Sequence, residues 1–151
     1  HETLIQRPKT GHDGAMPSGN GIAAIALQRL GHLLGEVHYL EAARRTLDAF
    51  WPQLSNSSAG CATLLWALEE ALAPPTLIIL RGPIADLPDW QRRMATYRSV
   101  ITLTLPNEIP GLPPALAKPE TPVVNAWVCQ GVKCLAPVEN VAALEEILQG
   151  G

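Results

Sequence analysis

A chain of 151 residues that is 47% hydrophobic and 17% charged can bury a substantial core, which excludes disorder as its main state and leaves room for one domain or two small ones. A formal net charge of −3, with no basic cluster beyond Arg44-Arg45 and Arg92-Arg93, excludes an electrostatic nucleic-acid surface. No run approaches the roughly 18 apolar residues that a bilayer-crossing helix needs, no signal-peptide pattern opens the chain, and three cysteines make no disulfide framework. The expectation is therefore a cytoplasmic protein with neither membrane nor nucleic-acid partner, and a start at His1 reads as a piece of something longer.

In chain order, residues 1–10 carry Leu4, Ile5 and Arg7-Pro8-Lys9, an extended lead-in. It opens onto His12-Asp13-Gly14-Ala15-Met16-Pro17-Ser18-Gly19-Asn20, a loop with four hydrogen-bonding side chains ahead of a long apolar run. Gly14 and Gly19 free the backbone, Pro17 fixes a turn, and Ser18 is placed to cap the helix that follows. That helix is predicted over about residues 19–34, with Gly35 as a left-handed C-cap. Ile22 to Leu27 with Leu30, Leu33 and Leu34 leave it almost no polar face, so it needs cover on several sides. Each large aliphatic side chain left in water forfeits about 1.5–3 kcal/mol, so preceding helices are expected to cover it in an intact protein, and an isolated segment is expected to self-associate.

A second helix is predicted over about residues 37–54, with Tyr39, Leu40, Ala43, Leu47, Phe50 and Trp51 on one face and Glu41, Arg44, Arg45 and Asp48 on the other. A third, over about 58–72, follows the polar Ser55-Asn56-Ser57 and stops before Pro74-Pro75. Beyond the prolines the pattern becomes β-rich. Strands are predicted at 76–80, 99–105 and 123–128, a helix at 86–97, and a last helix at 141–149 capped by Asn140. Strand, helix and strand at this spacing make a βαβ unit and a mainly parallel three-stranded sheet, with the proline-rich residues 106–122 wrapping the surface. The fold class expected is mixed α and α/β, with domains at residues 1–73 and 74–151.

The segments ETLIQRPKTGHDGAMPSGNGIAA and NAWVCQGVKCLAPVENVAALEEIL resemble the C-terminal part of the spermatogenesis-associated proteins and their bacterial relatives, in which a thioredoxin-like domain precedes an α/α barrel of the six-hairpin glycosidase type. The residues that carry the resemblance are Asp13, Gly14, Pro17, Ser18, Gly19 and Asn20 in the loop and Cys129, Cys134 and Pro137 in the tail. It implies that residues 1–73 are closing helices of such a barrel and that residues 74–151 are a small α/β appendage. It also implies the upstream barrel and thioredoxin-like domain of a parent chain as partners, with a saccharide as possible ligand. Related barrels include sugar epimerases and glycosidases. The leading expectation is thus a fragment of a carbohydrate-handling protein that lends one loop to a cleft; the alternative is a structural or interaction module without chemistry.

Within that frame Asp13 is the candidate catalytic carboxylate, because epimerases and glycosidases both use acid/base side chains flanking a sugar. His12, Ser18 and Asn20 are candidate substrate-binding groups at a helix N-terminus. The plainer reading, that Asp13, Ser18 and Asn20 only satisfy local backbone, carries more weight from residue type alone. Glu36, Glu41, Asp48, Glu69 and Glu70 read as surface positions, so a second carboxylate would come from outside the chain. Cys129 and Cys134 are expected as reduced, partly buried thiols, with a disulfide, a redox role or a metal role as alternatives. Zinc would need two further ligands, and no histidine follows His38. No metal and no cofactor is expected. Cys61 reads as core, and so do at least three of Trp51, Trp66, Trp90 and Trp127.

Overall fold

The computed structural model describes residues 9–97, 100–130 and 133–150. The lead-in at residues 1–8, the predicted strand start at Ser99 and the Gly131-Val132 pair lie outside the described residues. The chain divides into two compact units, one of residues 1–31 and 36–73, the other of residues 32–35 and 74–151.

The first unit is helical: α1 (Gly19–Leu34), whose residues 32–34 belong to the second unit, α2 (Val37–Asn56) and α3 (Ala62–Leu72). Gly35 takes a φ of 70° after α1, the left-handed geometry a glycine C-cap supplies. The helices bury Ala24, Ile25, Leu47, Leu54, Cys61, Leu64 and Ala67 together, with Phe50 and Leu68 packed at the edge. Gly21 lets α1 approach α3 closely, since a Cβ there would stand 2.9 Å from the Thr63 Cβ and 3.0 Å from the Leu64 amide nitrogen. Polar ties reinforce the same contact. The Gln28 side-chain amide donates to the Ala67 carbonyl at 2.9 Å, and the Arg29 Nε donates to Glu70 at 3.0 Å. Glu70 is therefore buried rather than on the surface as expected; the Arg29 guanidinium on the facing helix turns it inward. Helix α3 also begins four residues later than predicted. Residues 58–61 instead form a turn, closed by the Cys61 amide on the Ser58 carbonyl, with Gly60 at a φ of 78°.

Several large apolar side chains of this unit are exposed. Ile22, Ala23, Ala26 and Leu30 are exposed along α1, and Leu65, Trp66 and Leu72 along α3, while Ile25 and Ala24 face the core. Trp51 on α2 is exposed as well, so two of the four tryptophans, Trp90 and Trp127, are buried and two are not, against the expectation of three in the core.

The second unit is built on β1 (Thr76–Gly82), α4 (Leu87–Met94), β2 (Val100–Pro106), β3 (Asn125–Gln130), β4 (Lys133–Cys134) and α5 (Val141–Gln149). The sheet order is β2-β1-β3-β4. As expected, β1 and β2 pair in parallel across α4, Thr76 opposite Val100 and Gly82 opposite Pro106. The predicted mainly parallel three-stranded sheet is corrected in two respects. Strand β3 runs antiparallel to β1, and a fourth strand, β4, follows it antiparallel. The reason is topological. A parallel β3 needs a crossover that returns the chain to the opposite end of the sheet, and no helix lies between β2 and β3. The proline-rich connection instead crosses one face of the sheet, with Leu112 and Leu116 on it and Lys118 near Cys134, and returns to the end it left, where the Asn107 amide bonds the Gly82 carbonyl and Asn125 opens β3 opposite Arg81.

Side chains alternate across the sheet as the pleat requires. Ile78, Leu80, Ala126 and Val128 meet Leu87, Trp90 and Met94 from α4 and Leu144 from α5. On the other face, Leu77, Ile79, Leu105, Trp127 and Cys129 are covered by Leu112 and Leu116 of the proline-rich loop and by Leu33 and Leu34. Asn140 caps α5, its Oδ1 accepting the Ala142 amide at 2.8 Å. Among the described residues no helix is long and apolar enough to cross a membrane.

Candidate functional site

The loop ahead of α1 is held from three directions. Ser18 is buried, and its Oγ receives the Gly21 amide at 3.4 Å while its carbonyl receives the Ile22 amide, so it stands at the N-cap of α1. The Ser18 hydroxyl and the Asn20 side-chain amide both donate to the Thr10 carbonyl, at 3.1 and 2.9 Å. These bonds tie the incoming strand of chain to the start of the helix.

Asp13 joins the loop to α3. Its Oδ1 accepts the Ser18 amide at 2.6 Å and the Thr63 hydroxyl at 2.5 Å, and its Oδ2 accepts the Thr63 amide at 2.9 Å. Its own amide donates to the Gly60 carbonyl at 2.6 Å. Helix α3 has no cap from the side chain of Cys61, the residue at its N-cap, so the Asp13 carboxylate does that work from a distance in sequence. The Thr63 hydroxyl first, then the Ser18 and Thr63 amides, hold its pKa below the ordinary value; partial burial opposes them, and the Ala62 amide adds to the lowering. All these donors favour the ionised form. A carboxylate so held is a poor proton acceptor, and a general acid or base needs the opposite tuning, toward the working pH.

His12 is exposed, with its Nδ1 3.8 Å from the Cys61 Sγ. The thiol is fully buried, as expected for core, and receives the Gln53 side-chain amide at 3.2 Å. No substrate reaches a sulfur closed off in this way. The sequence-derived residues therefore do come together: His12, Asp13, Ser18 and Asn20 surround the N-termini of α1 and α3. Reasoning from sequence missed Thr63, which supplies two of the three bonds to Asp13. A threonine two residues inside a helix gives no local sign of a partner 50 positions away.

Cys129 and Cys134 are joined in a disulfide, a correction to the expected reduced thiols. The physical cause is the unforeseen β4: antiparallel pairing sets the two residues directly opposite each other, with Cα atoms 3.9 Å apart. The Lys118 ammonium lies 3.9 Å from the Cys134 sulfur. Among the described residues, no group of three or more His, Cys, Asp or Glu is placed to hold a metal ion.

Arg81, at the C-terminal end of β1, is the most buried cation of the sheet. Its Nη2 donates to the Asn107 carbonyl at 3.0 Å and lies 3.7 Å from exposed Glu120, so it binds the proline-rich loop to the sheet. Searches against family models, curated proteins and solved structures find no match for this chain.

Proposed function

We propose that the chain is the C-terminal part of a larger α/α-barrel protein of the type its loop and tail segments resemble, and that it acts there as a structural module. In this reading α1 and α3 are a layer of the barrel, upstream helices of the parent chain cover Ile22, Ala26, Leu30 and Trp66, and the loop around Asp13 is a clasp rather than a catalytic element. The observation that carries it is the state of the Asp13 carboxylate, whose two oxygens are taken up by the Ser18 amide and by the amide and hydroxyl of Thr63. The exposed apolar stripe supports it independently, because a finished helical domain would not leave side chains of that size along one face.

A second reading, carbohydrate handling by the parent protein, is favoured by one observation. Trp51 and Trp66 are about half exposed, and an exposed indole offers a flat apolar face to a sugar ring; the Arg29 guanidinium already lies 5.3 Å from the Trp66 ring centre. Here too Asp13 is support, and contacts to a saccharide fall to His12 and the indoles. Titration of mono- and oligosaccharides into the chain, followed by tryptophan fluorescence, separates the roles. Asp13→Asn is expected to lower the melting temperature and leave any saccharide response intact. Loss of a saccharide response in an Asp13→Asn variant that melts like the parent would overturn the clasp and restore Asp13 as a catalytic or binding group.

A further inference from the structure

The second unit holds a cavity of about 740 Å³ that nothing in the proposed function uses. Its apolar walls are Val100 from β2, Val128 from β3, Leu135 after β4, and Ile147 and Leu148 from α5. Ligand sites of small molecules span roughly 300–1,000 Å³ and are mainly apolar with a few convergent polar groups, and this cavity has both properties. Lys133 is the charged side chain that lines it, and among the described residues no carboxylate lines it or forms an ion pair with Lys133. Tyr97 and Gln130 also line the cavity. A single ammonium with no facing carboxylate among the described residues favours an anionic ligand over a cationic one.

We propose that this cavity binds a small amphipathic carboxylate, such as a medium-chain fatty acid, with its chain against Val100, Val128, Ile147 and Leu148 and its carboxylate at Lys133. The wall that brings the ammonium there is preorganised. Strand β4 is held by its pairing with β3, by the Leu135 amide on the Val128 carbonyl at 2.8 Å, and by the Cys129–Cys134 disulfide. A ligand that meets a wall already in place does not bear the ordering cost of forming it.

The test is an NMR titration of the full chain with decanoate and with decan-1-ol, both below the concentrations at which they aggregate. Decanoate is expected to shift the amides of Val128, Leu135 and Ile147 saturably and to bind more tightly than the alcohol. Lys133→Glu, an exposed change that leaves the core untouched, is expected to weaken decanoate by about fivefold or more, as loss of a partly solvated ion pair implies, and to leave the alcohol unchanged. Leu148→Trp, which fills the cavity, is expected to abolish both. Reduction of the disulfide is expected to weaken decanoate in the wild-type chain. Shifts scattered over the surface, equal affinity for acid and alcohol, or indifference to Lys133→Glu would each overturn the proposal. Should Leu148→Trp fail to fold, Lys133→Glu decides alone.

Discussion

Strand β1 of the second unit has helices α4 and α5 on one face and Leu112 and Leu116 of the proline-rich loop on the other, so Leu77 to Leu80 are all nearly inaccessible. Helix α1 of the first unit buries Ala24 and Ile25 on one side and leaves Ile22 and Leu30 in water on the other. Both elements are apolar nearly throughout, and the difference lies in what surrounds them. A sheet covered on both faces is a finished core, whereas in the proposed reading a helix covered on one is a layer that further helices would complete. The first unit compensates with polar ties: Asp13 at the start of α3, Ser18 at the start of α1, and the Arg29–Glu70 pair between the two helices.

That contrast can be broken by substitutions of graded size. Ile78→Ala, in the finished core, is expected to cost about 2–5 kcal/mol, read by denaturant unfolding followed through buried Trp90 and Trp127. Hydrogen exchange on the same variant should show lost protection in β1 and β3 and unchanged protection in α2. Next in size, Gly60→Ala places a side chain at a φ of 78° with its Cβ 3.0 Å from the His12 Nδ1; about 1–2 kcal/mol is expected from the backbone alone, measured by thermal unfolding. Ser18→Ala removes the α1 cap and should cost about 0.5–2 kcal/mol in the same assay.

The Asp13 clasp is sharpened by pH. Its pKa in the fold lies below its ordinary 3.8, so the stability it supplies is present above about that value and is lost as pH falls through the lower folded value. Asp13→Asn should therefore melt below the wild type at neutral pH, and the gap should narrow once pH drops under 3.8. A gap that stays constant down to strongly acid pH would contradict a role for the ionised carboxylate. At the small end, Arg44→Ala removes an exposed ion pair with Asp48 and should shift stability by about 1 kcal/mol or less.

Much of the fold was legible because it is written locally. The bounds of α1 follow from Ser18 and Gly35, those of α5 from Asn140 and the apolar spacing after it, and the βαβ unit from two β-rich runs around an amphipathic segment. What escaped is nonlocal. The direction of β3 depends on where the chain lies after the proline-rich loop, although the lack of a helical pattern between β2 and β3 was a usable sign that no crossover exists. Strand β4 is two residues long, below what alternation can reveal, and with it went the disulfide. The loop residues His12, Asp13, Ser18 and Asn20 were found from composition, but their role depends on Thr63, and no spacing rule links that threonine to Asp13. The inward turn of Glu70 likewise depends on Arg29, a partner 41 positions away.

The central claim is that the first unit is a layer whose outer face belongs against further helices, and sedimentation velocity over a wide concentration range tests it most directly. The wild-type chain is expected to self-associate as concentration rises, and an Ile22→Glu, Leu30→Glu double variant is expected to stay monomeric with an unchanged melting temperature, since both side chains already face water. A wild-type chain that remains strictly monomeric at high concentration, with amide protection in α1 equal to that in β1, would contradict the account and mark the first unit as complete in itself.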